Sequence, residues 1–284
     1  MPLCRLDDVD IHHTVHGADD APTVVLAHGF CTSAAMWDRQ LPALLPRYRV
    51  ITYDARGHGL STAPAGEESY RLGRMVADLH GLLGHLGVER AHIAGHSMGG
   101  GTAMAFGARH PELCIALLIC NIDGGHQPAD PVLDAQRDAD RQRGREIVRE
   151  RGLVHYARRI LDNRLAPPFV LDDPIARRRF IERYSLQPDN GFFGAGTARP
   201  WAEPWLKQAA AGVALPIGIL AGDQDVYYRG ARALHDAQGG SFLATIEDAP
   251  HDSMNARPDA FNRALLDYLD SVQAGSPLDG ERTY

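Results

Sequence analysis

The stretch AHIAGHSMGGG, Ala91–Gly101, decides how this chain is read. Its first half is apolar and has the length of a buried strand. Its second half encloses Ser97 between His96 and the glycines Gly95, Gly99, Gly100 and Gly101. Glycine is unfavourable inside helices and strands, so a cluster of it needs a reason. Two readings compete. Either Ser97 merely caps N–H groups at a helix entry, or the glycines clear space around a serine that reacts.

The surroundings decide between them. Met98–His110 carries a helical pattern, so Gly95-His96-Ser97-Met98-Gly99 lies on a strand-to-helix turn, the context that G-x-S-x-G requires. A serine there is forced into a strained backbone conformation. Glycines two residues before and after it remove side chains that would collide with neighbouring elements. The helix N-terminus adds unpaired N–H groups and positive partial charge, which favour a developing oxyanion.

Working outward, short apolar runs alternate with amphipathic ones. Thr23–Gly29, Tyr48–Asp54, Ala91–His96, Ile115–Asn121, Pro216–Asp223 and Ser241–Asp248 read as strands, apolar enough for burial on both faces. Ala34–Leu45, Tyr70–Leu86, Met98–His110, Arg229–Gln238 and Pro258–Val272 read as helices between or after them. This order predicts an α/β fold with a mainly parallel sheet covered on both faces. The first residues read as an antiparallel hairpin on one edge, giving eight strands. The alternation breaks between Asn121 and Ala214, where only helical patterns occur. An ordered insertion of about ninety residues is too long for a loop and is expected to form a cap after the sixth strand. The expected organisation is a first core segment 1–124, a helical cap 125–213, a second core segment 214–274 and a flexible tail 275–284.

Composition narrows the partners. The 284 residues are 44% hydrophobic with a formal charge of −7, which gives no support to nucleic-acid binding. Lys207 is the single lysine, and arginine supplies the other positive charges. The N-terminus lacks the layout of a signal peptide, and no apolar run approaches the ~18 residues of a membrane helix. Cys4, Cys31, Cys114 and Cys120 have no zinc-ligand spacing and are expected as reduced thiols in a cytoplasmic protein. A small-molecule substrate is expected, with no cofactor and no metal. Neither nucleic acid nor membrane is expected as a partner, and homodimer formation is left open.

A nucleophilic serine needs a base, and the base an orienting carboxylate. His251, after the last long strand, lies at a strand's C-terminal end, where open α/β sheets place their ligand sites. It is the preferred base among fourteen histidines. Asp225, after the preceding strand, is preferred as carboxylate to Asp223, which better suits an Asx contact shaping the turn. Asp123, after the strand ending at Asn121, stays as a third candidate. The oxyanion donors are Met98 N–H and, from the loop His28-Gly29-Phe30-Cys31, Phe30 N–H. His28 is expected to hold that loop by hydrogen bonding, and Cys31 to be an inert buried thiol.

Together HGF, DARGHGLS (Asp54–Ser61), GHSMGG, GDQD and APH resemble the α/β-hydrolase superfamily. They are similar to its capped, serine-nucleophile branch of enol-lactonases, esterases and carbon–carbon bond hydrolases. The resemblance covers the sheet and not the cap. It implies Ser97, Asp225 and His251 as triad and Phe30 and Met98 as oxyanion donors. DARGHGLS matches a structural turn with Asp54 and Arg56 locking loops. Dehalogenases and epoxide hydrolases of the superfamily carry an aspartate where this chain has Ser97. Haloperoxidase-like members carry tryptophan and proline where this chain has Phe30 and Cys31.

The cap should choose the substrate. Phe169, Phe192, Phe193, Trp201 and Trp205, with Cys31, are the candidate pocket residues, although each also suits cap packing. The arginines, Arg177-Arg178-Arg179 among them, are interleaved with acids and read as a solvated face. The first functional reading is a serine hydrolase of a small, mainly hydrophobic ester or lactone. The second is a carbon–carbon hydrolase or lyase on an anionic keto substrate, which an inward-facing cap arginine would favour. The third is a non-catalytic receptor, which has no need of Ser97 and His251 together.

Overall fold

The computed structural model describes residues 2–284; Met1, with which the first core segment was drawn to begin, lies outside the described residues. Among these residues one mixed sheet has the order β1-β2-β4-β3-β5-β6-β7-β8-β9. β1 (Leu3–Arg5) and β2 (Asp10–His16) form the antiparallel edge. β3 (Thr23–Ala27), β4 (Arg49–Tyr53), β5 (Ala91–His96), β6 (Cys114–Cys120), β7 (Ile217–Gly222), β8 (Phe242–Ile246) and β9 (Gly280–Thr283) run parallel. Residues of β3 and β5 are buried throughout, which explains their unbroken apolar pattern.

Helices cover both faces. α1 (Leu41–Leu44), α2 (Leu72–His85) and α3 (Met98–Arg109) precede the insertion; α10 (Tyr228–Ala237), α11 (Ser253–Ala256) and α12 (Pro258–Gln273) follow it. α2 buries Leu72, Met75, Val76, Leu79, Leu82 and Leu83, a stripe at helical spacing against one face. α12 buries Phe261, Leu265, Tyr268 and Leu269 against the other. Between β6 and β7 lie α4 (Pro131–Arg151), α5 (Leu153–Asp162), α6 (Pro168–Leu171), α7 (Pro174–Ser185), α8 (Asp189–Ala198) and α9 (Trp205–Ala211), with no strand among them. The cluster joining Val148, Leu153, Ala157, Leu161, Val170 and Phe180 gives this insertion a small core of its own.

Two expectations change. The sheet has nine strands rather than eight, because the segment 275–284, expected as a flexible tail, carries β9. Phe242 to Thr245 of β8 pair with Gly280 to Thr283. Arg232 binds Glu281 through both guanidinium nitrogens at 2.9 and 3.0 Å, and Tyr284 Oη donates to Asp267. The polar sequence suits an outer strand that keeps its charges in water. Second, Ala34–Leu45 is not one helix: a 3₁₀ turn, Ala34–Trp37, precedes the short α1.

The strand order places a switch point beside β3. The chain leaves β3 for β4 on one side, and β5 lies on the other. A crevice opens at the carboxyl ends of strands at such a point. Phe30 follows β3 and Ser97 follows β5, so both candidates meet there.

Candidate active site

Ser97 sits between β5 and α3 with φ 51° and ψ −111°, a conformation rare for a residue with a side chain. The glycines make it attainable. A Cβ on Gly95 would fall 2.1 Å from the carbonyl oxygen of Gly99, and one on Gly99 would fall 2.3 Å from that of Ala27. Ser97 N–H donates to Cys120 O at 2.9 Å, anchoring the turn to β6. Met98, buried, is the first residue of α3, where helix N–H groups have no intrahelical acceptor.

On the loop after β8, the imidazole of His251 meets Asp225, which follows β7. Nδ1 lies 3.0 Å from both carboxylate oxygens. Nδ1 therefore carries the proton and Nε2 the lone pair. Burial alone pushes the His251 pKa down, but the hydrogen bond and charge of Asp225, helped by Asp252, outweigh it and leave it raised above 6.5. The Asp225 side chain is fully buried. Burial would raise its pKa; the bonds from His251, Asn121 and Tyr227 N–H reverse this and hold it below the usual carboxylate range. Asp223 instead accepts from Ala249 N–H, and Asp123 from Gly125 N–H, so each shapes its own turn.

Asn121 is the partner that sequence reading missed. It is fully buried at the end of β6, with φ 53°. Its Nδ2 donates to Asp225 Oδ2 at 2.9 Å, and its Oδ1 accepts from Ser253 Oγ at 2.6 Å. The chain Ser253–Asn121–Asp225–His251 thus fixes the carboxylate from behind. A polar residue closing an apolar strand was the signal, and asparagine tolerates this left-handed backbone. His96 adds a second brace. Its Nε2–H donates to His251 O at 2.8 Å, and burial, first among several causes, lowers its pKa to about 3, so it stays neutral.

The loop after β3 is locked by its histidine. His28 Nε2 accepts from Ala55 N–H at 2.9 Å, so Nδ1 is protonated and donates to Gly29 O at 2.8 Å. The DARGHGLS turn has the structural role expected of it. Asp54 accepts from Ala34 N–H and Leu60 N–H. Arg56 binds Asp78 twice, at 2.6 and 2.7 Å, and reaches Asp8 and Ser69 O.

Ser97 and His251 line one cavity of about 190 Å³. Phe30, Thr32 and Met36 wall it from the sheet side, while Pro167, Val170, Phe180 and Arg183 close it from the insertion. This is small beside the ~300–1,000 Å³ of drug-sized sites.

The α/β-hydrolase fold family model matches residues 22–254. The chain belongs to that family and is a hydrolase of the α/β type. It is 28% identical over 266 residues to 3-oxoadipate enol-lactonase 2 of Acinetobacter baylyi, covering 91% of this chain and 92% of that one. The enol-lactonase of Burkholderia xenovorans LB400 superposes with a TM-score of 0.80 at 27% identity, over 95% of this chain and 100% of that one. A thermophilic esterase of Thermogutta terrifontis does so with 0.75 at 26%, over 93% and 94%. Among the described residues no helix is long and apolar enough to cross a membrane.

The pocket expectations need correction within this family fold. None of the six candidates lines the cavity. Phe192 stacks on Phe30 at 5.9 Å and Trp201 lies tilted against it at 5.1 Å, so both back a wall residue rather than line the cavity. Trp205 lies under Arg109 and donates to Glu203, and Phe193 lies under Arg149. Phe169 packs into the insertion's core, as does Cys31, whose thiol pKa burial pushes up. Aromatic residue type signalled burial but not direction. Phe180, Val170 and Arg183 reach the cavity because α6 and α7 turn those positions inward.

Proposed function

We propose that this protein hydrolyses small carboxylic esters or lactones through an acyl-enzyme on Ser97. The observation that carries the reading is the strained Ser97 sharing a cavity with His251, whose Nδ1–H is held by Asp225. Ser97 Oγ attacks the carbonyl carbon while His251 Nε2 takes its proton. Met98 and Phe30 N–H groups hold the tetrahedral oxyanion; such a donor is worth about 10²–10³ in kcat. The imidazolium, stabilised by Asp225, returns the proton to the leaving alkoxide. In deacylation His251 activates water by the same geometry. The enol-lactonase and esterase relatives support the substrate class.

The test is Ser97→Ala with a short-chain 4-nitrophenyl ester. A loss of about 10⁴-fold or more is expected, and undiminished turnover would sink the reading. One observation favours a second reading: Arg183, from the insertion, lines the cavity, which suits carbon–carbon hydrolysis of an anionic keto substrate by the same residues. Product analysis separates the two: ester or lactone hydrolysis breaks an acyl C–O bond and leaves every carbon–carbon bond intact, whereas the second reading splits the carbon skeleton.

A further inference from the structure

A second cavity, of about 430 Å³, lies between α4 and the end of α8 and shares no lining residue with the cavity of Ser97 and His251. Asp138, Arg141, Arg145 and Arg149 recur at helical spacing along one face of α4, and Arg199, just past α8, completes a set of four guanidinium groups. Asp138 is the one acid of the lining: Arg141 binds it, and Arg199 Nη1 lies 3.6 Å from it. Arg145 and Arg149 pair with no carboxylate among the described residues. Both sit over the ring of Phe193, at 6.0 and 5.3 Å, and Arg145 donates to Thr197 Oγ1. The Nε atoms of Arg145 and Arg199 are buried and have no hydrogen-bond partner among the described residues. Of the other acids on α4, Asp134 and Asp140 pair with Arg137 and Arg143, Glu150 is exposed, and Glu146 accepts from the lining residue Gln142 at 3.2 Å. Four cations against Asp138 leave a surplus of three positive charges, and counting Glu146 still leaves two. The whole chain is formally −7, so this concentration of positive charge is local.

From this we infer that the cavity between α4 and α8 binds a diphosphate group, free or as the end of a small organic molecule. Guanidinium groups gathered without matching carboxylates repel one another, and each has planar N–H donors that fit phosphate oxygens in pairs. A buried N–H without an acceptor adds a cost that an incoming anion can offset elsewhere on the same guanidinium. The surplus of two to three positive charges matches a diphosphate. A single phosphate presents its charge at one centre and cannot span arginines spread along three turns of α4. The volume lies within the ~300–1,000 Å³ of small-molecule sites, which leaves room for an organic part beside Gln142 and Thr197. Ser97 and His251 line the other cavity, so the assignment goes beyond the hydrolase reading and stands independently of it.

The test is isothermal titration calorimetry of the whole protein with inorganic pyrophosphate, orthophosphate and ADP, at constant ionic strength and without divalent cations. Wild type should bind pyrophosphate at one saturable site, at least about tenfold more tightly than orthophosphate. Arg145→Met and Arg149→Met should each weaken pyrophosphate about 10- to 100-fold, and two variants guard against one failing to fold, checked by circular dichroism. Arg143→Met, on the outer face of α4, and Arg183→Met, in the other cavity, should bind as wild type does. ADP distinguishes the source: binding as tight as that of pyrophosphate assigns an organic diphosphate, and its failure beside bound pyrophosphate assigns the free ion. No saturable pyrophosphate binding by wild type overturns the proposal, as does equal affinity for orthophosphate. Binding that survives in folded Arg145→Met and Arg149→Met but is lost in Arg183→Met also overturns it, by moving the anion to the cavity of Ser97.

Discussion

Helix α12 places Phe261, Leu265, Tyr268 and Leu269 in the core, whereas α4, with 21 residues, buries only Gly144 and Val148. The difference separates two kinds of construction. The sheet and its helices exclude water over large apolar faces, and that rigidity holds Ser97, Asp225 and His251 on separate loops in one crevice. α4 is laced instead by same-helix ion pairs, such as Arg143–Asp140 and Arg141–Asp138. The insertion's smaller core positions a few side chains over that crevice. On the proposed function, chemistry resides in the part built rigidly and selection in the part built lightly.

On that division the largest effects come from the sheet. Asp225→Asn should lower kcat about 10⁴-fold, because an amide can hold His251 in the wrong tautomer; a loss below tenfold, measured by steady-state kinetics, would remove Asp225 from the machinery. Next is Asn121→Ala, which strips a buried carboxylate of one donor and leaves Ser253 Oγ unpaired. A fall in kcat of about 10- to 100-fold is expected, with KM little changed. Acidification sharpens the same point. His251 must be neutral to act as base, and its pKa is raised by Asp225. The acid limb of kcat/KM should therefore have its midpoint above 6.5, and a midpoint below it would contradict the proposed coupling. The smallest effect belongs to the insertion's outer face. Arg143→Ala should shift stability by less than about 0.5 kcal/mol in a denaturant titration and leave kcat intact.

The same division explains what could be read before the structure. Strands β5 and β7 fall within a residue of their expected ends because burial on both faces leaves no polar interruption. Asp225 and Asp223 are told apart by geometry, since the backbone turn gives one to Ala249 N–H and the other to His251. Strand β9 escaped because an edge strand need not be apolar. Arg183 escaped because charge suggested solvent. Its spacing from Phe180 and Tyr184, three back and one forward, was the available signal, but only the packing of α6 and α7 shows which way that face points.

The most direct test of the central claim is labelling with a fluorophosphonate at neutral pH, read by intact mass and peptide mapping. One stoichiometric adduct on Ser97 is expected, formed much more slowly in Asp225→Asn and absent from Ser97→Ala. Absence of an adduct in the folded wild-type protein, or an adduct at another residue with Ser97 untouched, would contradict it.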